Sequence, residues 1–285
     1  MLFIPVQYGK LKYPGGISPK IIEVPCHFDI LGIATQKNYS LHTEYSYGKR
    51  KFRNPSLEKL KEISSANYKG IPLLWFSKRW AIEFADFILY VTAETDEPEY
   101  IEIHPPFNDY SNIEKFLELY KLFEERIQMK FANAKILLEN RTGTTYTNGK
   151  FIVSSLAQVI EFLQKCRTSG VKLELALDIP ALITAERRRF RSIQGVSEII
   201  DALNEFKGSI AAFHLWGKTR GGGAHGGDLN ILFKMKIDIK EYFLTELFRV
   251  FSDGKKRYFL PEINTNSEDL RKLLDEIKAY GAKFV

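Results

Sequence analysis

The sequence predicts an α/β fold, a single (β/α)8 TIM barrel over residues 1–285 with an irregular N-terminal quarter. From residue 100 onward, short apolar runs alternate with helical segments in units of roughly 35 to 50 residues, as in a βαβ series. Three weaker β-like runs precede residue 100 and bring the total to eight, the number that closes such a barrel. The 285 residues, 45% of them hydrophobic, suffice for one large core.

The N-terminal quarter supplies the three weaker strands. Residues 2–6, 21–24 and 39–42 are short apolar or β-branched runs, and the first two are separated by a loop that contains Pro14-Gly15-Gly16. The connections between these runs are too short for a full helix in each, which makes this region the least regular part of the predicted barrel.

The first predicted helices follow this region. Ser56 is a suitable N-cap for a helix that begins there. Residues 80–95 carry apolar side chains at helical spacing and are expected to pack on the sheet. Glu83 and Asp86 interrupt the apolar residues of this segment, so it is not expected to cross a membrane.

From residue 100 the alternation is regular. Each short apolar run is typical of a buried parallel strand, and each is followed by an amphipathic segment. The predicted strands are residues 100–103, 135–138, 173–177, 210–213 and 258–261, and the predicted helices are residues 112–126, 154–166, 195–206, 240–251 and 267–280.

A polar residue that can bind a metal stands at the end of strand after strand. Three of the five histidines fall at such ends. Each residue alone could be a helix cap or a buried core residue, but the carboxyl ends of barrel strands gather at one face. Imidazoles and carboxylates are suitable ligands for Zn or Mn. The sequence therefore predicts a divalent-metal site formed by His42, His104, Glu139, Asp178, His214 and Glu262.

Seven short motifs, in order, resemble those of the xylose isomerase-like barrels, a superfamily that includes endonuclease IV, UV-damage endonucleases and sugar isomerases and epimerases. Each motif is short, and the match depends on their order and spacing over most of the chain. They are Ser40-Leu41-His42-Thr43, Ile103-His104-Pro105-Pro106, Leu138-Glu139-Asn140, Leu177-Asp178-Ile179, Phe213-His214-Leu215, Ala224-His225-Gly226-Gly227-Asp228-Leu229-Asn230 and Pro261-Glu262-Ile263-Asn264.

The resemblance to the endonuclease IV branch implies two metal positions. His42, His104 and Glu139 would hold one ion. A third position in that branch needs a histidine where this chain has Ala181 and an aspartate where it has Gly223, so that only His225 remains. Two metals are therefore the better fit, and the second would be held by Glu139 as a bridging ligand together with Asp178, His214 and Glu262.

Three functions stay open. The first is a metal-dependent phosphodiesterase acting on damaged DNA, with Glu139 and Glu262 as catalytic residues. The second is a sugar isomerase or epimerase, in which one metal suffices and the carboxylates move a proton beside a carbonyl. The third is a barrel that binds nucleic acid or protein without catalysis, which the near-complete ligand set disfavours.

The loop after His214 is a candidate substrate-binding segment. Lys218 and Arg220 could bind a phosphate or could be solvated. Asp228 could accept a hydrogen bond from a substrate hydroxyl, although a role as a turn or cap residue is preferred. The segment 217–227 does not end in the GK[ST] sequence of a phosphate P-loop. Its glycines more naturally allow close backbone approach to the metal site or loop movement.

Charge and cysteine content indicate which partners and which cellular compartment to expect. The formal net charge of +6 is compatible with anionic partners, DNA among them, and equally with an ordinary basic surface. Basic clusters at residues 49–53 and 187–191 could contact a nucleic-acid backbone or be solvated. Cys26 and Cys166 form no CxxC motif, and the N-terminus does not resemble a signal peptide. A cytoplasmic protein is expected.

Overall fold

The fold is an α/β TIM barrel. A computed structural model describes residues 1–52, 59–143 and 149–285. Eight parallel strands follow the order β1-β2-β3-β6-β7-β8-β9-β10, and β10 pairs back with β1, so the hydrogen-bonded ring closes. A short strand β11 pairs with β1 outside the ring. The ring strands are β1 (Leu2–Gln7), β2 (Ile21–Cys26), β3 (Tyr39–Thr43), β6 (Tyr100–Ile103), β7 (Lys135–Glu139), β8 (Leu173–Asp178), β9 (Ile210–Leu215) and β10 (Lys256–Pro261).

All eight predicted strands are confirmed, and helices lie where the long amphipathic segments predict them. The helix predicted to start at Ser56 begins outside the described residues, and the described helix there is α1. The helices are α1 (Lys61–Ser65), α2 (Lys78–Val91), α3 (Ile113–Gln128), α4 (Leu156–Ser169), α5 (Ile179–Ala185), α6 (Ile193–Glu205), α7 (Leu229–Leu232), α8 (Ile237–Val250) and α9 (Ser267–Ala279), and the minor strands are β4 (Asn67–Tyr68), β5 (Ile71–Pro72) and β11 (Lys283–Phe284).

The chain groups into two compact units. The first comprises Met1–Glu23, Ser155–Ile160 and Leu175–Val285, and the second comprises Val24–Ser154 and Glu161–Glu174. A single domain over residues 1–285 stays a prediction. No helix among the described residues combines the length and the apolar character that a membrane crossing requires.

Each unit has its own aromatic core. In the first unit Phe3 of β1 is buried and packs against Phe213 of β9 and Phe259 of β10, with ring centroids 6.1 and 4.7 Å away. In the second unit the buried ring of Trp75 lies 5.6 Å from Phe84 of α2 and 5.0 Å from Phe116 of α3. Aromatic rings of this size dominate core energetics, so these contacts join β1 to β9 and β10 in the first unit and join α2 and α3 through Trp75 in the second.

Candidate metal centre

Three adjacent strands of the second unit bring two imidazoles and two carboxylates together. His42 of β3 is paired in register with Glu102 of β6. Because side chains two residues apart share a face of a strand, Glu102 and His104 point the same way. Glu139 ends β7, the next strand. One potential ligand atom from each of these four residues lies within 4.8 Å of the others.

Each ring nitrogen of His104 faces an oxygen acceptor. Its Nδ1 lies 3.1 Å from the carbonyl oxygen of Glu44. A neutral ring carries one N–H and can donate to only one of its two partners; when Nδ1 is the donor, Nε2 presents a lone pair. That Nε2 lies 2.7 Å from Glu139 Oε2, and both side chains are fully buried. Two acceptors at this distance repel each other unless they share a proton or a cation.

Glu102 belongs to the group although the sequence motifs do not single it out. Its carboxylate is 1% exposed, and Oε1 lies 3.7 Å from His42 Nδ1. The rings of His42 and His104 are stacked with centroids 4.9 Å apart. The signal for Glu102 was its position two residues before His104, on the same face of the strand. Its placement adds a second carboxylate to the two imidazoles and Glu139 in the candidate ligand group.

Positive side chains surround the carboxylates of this unit. Arg141 Nη1 lies 3.1 Å from Glu139 Oε1, and its guanidinium lies 5.1 Å from the ring centroid of Tyr45. The guanidinium of Arg50 also lies 5.1 Å from the Tyr45 ring centroid, and its Nε donates to Glu44 Oε2 at 2.7 Å. These pairs place a guanidinium beside each of these two buried carboxylates, an arrangement suited to charge-assisted hydrogen bonds.

Burial holds the imidazoles of His104 and His27 neutral near pH 7. Burial lowers the pKa of His104 to about 4, against the opposing influence of the Glu139 carboxylate. Burial also lowers the pKa of His27 to about 3, and the neighbouring His42 adds to this effect. Neutral imidazole is the form that binds metals. The donor set of two imidazoles and two carboxylates therefore fits a divalent ion such as Zn or Mn.

The first unit brings together a second set of predicted residues. His214 Nδ1 lies 3.2 Å from Glu262 Oε1, and both side chains are buried. His225 Nδ1 lies 2.9 Å from the backbone oxygen of Glu262 and 3.7 Å from its Oε2. His225 thus contacts Glu262, although its side chain is 33% exposed and its backbone is left-handed (φ 58°).

Asp178 has a structural role beside its predicted one. It ends β8, is paired in register with His214, and is 4% exposed. Its Oδ1 accepts a hydrogen bond from Ala181 N at 2.9 Å, which caps the N-terminus of α5. Ala181, at the position where a third-metal histidine would stand, is a buried apolar residue.

The predicted substrate-binding residues lie in the loop of the first unit. Asp228 caps α7 through Ile231 N at 3.1 Å and bonds Lys272 Nζ at 2.6 Å, which agrees with the preferred cap role. Lys218 Nζ lies 4.9 Å from the ring centroid of Trp216. Arg220 is exposed and lines a cavity of about 650 Å³ with Asp228. None of these contacts tests substrate binding.

The two basic clusters differ from each other. In the first, Arg50 is engaged with Glu44, and Arg53 lies outside the described residues. In the second, Arg189 lies 3.3 Å from Glu186 and 3.7 Å from Glu198, and it begins a short 3-10 helix that ends at Arg191. A DNA contact at either cluster stays a prediction.

Comparison with known proteins gives only distant structural likenesses. No family model matches the chain, and no curated protein matches it. Among solved structures, the glycoside hydrolase family 53 catalytic domain of Ignisphaera aggregans is 10% identical, covering 85% of this chain and 73% of that chain, with a TM-score of 0.43. A protein from Anabaena variabilis assigned as a sugar phosphate isomerase/epimerase is 12% identical, with coverage of 85% and 76% and a TM-score of 0.39. Function must therefore be argued from the chain's own residues.

Proposed function

We propose that the chain is a divalent-metal-dependent phosphodiesterase that acts on nucleic acid. The observation that carries the proposal is the convergence of His42, which is partly exposed, with the buried His104 and Glu139 in one group. An isomerase of the same superfamily would not need the two histidines as ligands. The net charge of +6 is compatible with an anionic substrate.

The residues of the second unit would hold the ion as follows. His104 would offer Nε2 in the tautomer whose Nδ1–H donates to the Glu44 carbonyl. Glu139, which pairs with Arg141 through Oε1, would offer a carboxylate oxygen. His42 adds a second imidazole. When bound, a divalent ion would activate water and neutralise charge on a phosphodiester.

Further roles are proposed for the first unit. Asp178, His214 and Glu262 would hold a second ion, with Glu262 and Glu139 as the catalytic carboxylates. Lys218 and Arg220 would bind phosphate oxygens of the substrate.

A sugar isomerase or epimerase is the second candidate. Ala181 and Gly223 favour it, because these positions lack the third-metal ligands that the endonuclease IV branch carries. In that case His42 and His104 would be dispensable.

The test is metal loading followed by two assays. The purified chain is stripped with a chelator, reloaded with Zn²⁺ or Mn²⁺, and tested on abasic-site and UV-damaged duplexes and on a panel of ketoses. We expect cleavage of a duplex, its abolition in Glu139→Gln, and a loss of roughly 100-fold in His104→Ala. His27→Gln, a change at a nearby histidine outside the ligand group, is the matched control.

The outcomes separate the candidates. Ketose conversion that survives His104→Ala would support the isomerase and exclude the phosphodiesterase. A chain that neither binds a divalent ion nor is activated by one would contradict both candidates.

A further inference from the structure

A second cavity, of about 260 Å³, opens in the first unit, and its lining includes none of the candidate metal ligands. Part of its lining is apolar. Phe190 and Phe233 are 7% and 5% exposed, with ring centroids 5.9 Å apart, and Ile183 and Leu232 adjoin them. An apolar lining of this kind favours contact with an apolar ring, because the contact removes apolar surface from water.

The charged side chains that line the cavity all carry positive charge. Its five charged side chains are all basic, and among the described residues no carboxylate lines the cavity; they are Arg187, Arg191, Lys218, Lys234 and Lys236.

These cations are not neutralised by neighbours. Within the described residues, Arg187, Arg191 and Lys234 form no ion pair. Lys236 Nζ bonds a backbone oxygen, that of Arg191, at 3.2 Å. Lys218 Nζ lies over the ring of Trp216. Several unpaired cations around one concave space favour a ligand with several negative charges, and phosphate groups match lysine and arginine donors.

The geometry points to a binding site for a small organic polyphosphate, of which a nucleoside di- or triphosphate is the type. Its apolar ring lies against Phe190 and Phe233, and its phosphates meet the basic side chains. A nucleic-acid track is less suited to the site. The basic run at residues 187–191 does not act as a whole, because Arg189 is paired with Glu186 and Glu198, and Arg188 does not line the cavity.

The test is calorimetric titration of the full chain with ATP, pyrophosphate and adenosine, with a chelator present so that the proposed metal centre takes no part. ATP should bind at least roughly tenfold more tightly than pyrophosphate or adenosine, because it alone engages both halves of the cavity. Arg191→Ala combined with Lys234→Ala should weaken ATP binding by roughly tenfold or more. Arg188→Ala, which removes a neighbouring exposed charge outside the cavity, should change it less than about twofold.

Three results would overturn the proposal. One is equal binding of ATP and pyrophosphate, which would remove any role for the apolar surface. Another is an equal loss in Arg188→Ala, which would indicate surface charge alone. The last is tighter binding of a single-stranded oligonucleotide than of ATP with loss in all basic variants, which would indicate a nucleic-acid track. Unfolding curves of each variant establish that a loss of binding is not a loss of fold.

Discussion

Arg257 is a fully buried cation near the start of β10. Its guanidinium donates to the backbone oxygens of Ile210 and Lys207, each at 3.0 Å, and to both carboxylate oxygens of Asp253 at 2.8 Å. Removing the partner of a buried charge is costly, because the charge stays desolvated. Asp253 therefore stabilises the start of β10 by pairing with the buried guanidinium of Arg257.

This pair predicts a pH dependence of stability. The hydrogen bonds from Arg257 lower the pKa of Asp253 to about 2. A depressed folded-state pKa contributes stability that is present above the unfolded value near 4 and is lost as the pH falls through about 2. At this partly exposed carboxylate, solvent screening leaves a contribution of about 1–2 kcal/mol.

Asp253→Asn should lower the free energy of unfolding at pH 7 and flatten its fall between about pH 4 and pH 2. Urea unfolding over that range measures both effects. Asp275→Asn, at an exposed carboxylate, should retain the wild-type profile. An unchanged fall in Asp253→Asn would show that the pair does not carry the effect.

At the scale of elements, the loop after β9 depends on close backbone contact. Gly217 and Gly226 pair with each other, and a Cβ at Gly226 would lie 2.4 Å from the backbone of Lys218. A Cβ at Gly221 would meet nothing nearer than 3.9 Å. The glycines at 217 and 226 thus allow close contacts inside the loop. From the sequence, these glycines are interpreted as allowing backbone approach to the metal site or loop movement.

Gly226→Ala should destabilise the chain by about 1–3 kcal/mol, because the backbone must shift to admit a methyl group. Gly221→Ala should change stability by less than about 0.5 kcal/mol. Chemical unfolding of the two variants side by side measures the difference. Equal stabilities would contradict the packing of this loop.

The N-terminus of α1 is capped by a residue of another helix. Helix α1 has no side-chain cap of its own, and Glu83 of α2 accepts hydrogen bonds from Glu62 N and Ile63 N at 2.8 and 3.1 Å instead. In the sequence, Glu83 is merely a charge that interrupts an apolar segment. Its capping role depends on the packing of two helices and has no local signal.

At the scale of the whole molecule, the sequence predicts the eight ring strands because buried parallel strands are short, continuous apolar runs. It predicts the grouping of His42, His104 and Glu139 because strand ends converge in a barrel. It misses Glu102, which lies inside an apolar run, and Glu44, which acts on His104 through a backbone carbonyl that any residue would supply.

The candidate metal centre predicts a change in the stability of the whole chain. A ligand that binds the folded state alone adds about 2.7 kcal/mol to the free energy of unfolding at a hundred times its Kd. For a chain of this size that corresponds to a rise in Tm of several degrees. Zn²⁺ or Mn²⁺ should therefore raise Tm, and the chelator should reverse the rise. The increment should vanish in His42→Ala combined with His104→Ala and persist in His27→Gln, whatever the absolute Tm of each variant. A rise that is equal in both variants would place the ion away from His42 and His104.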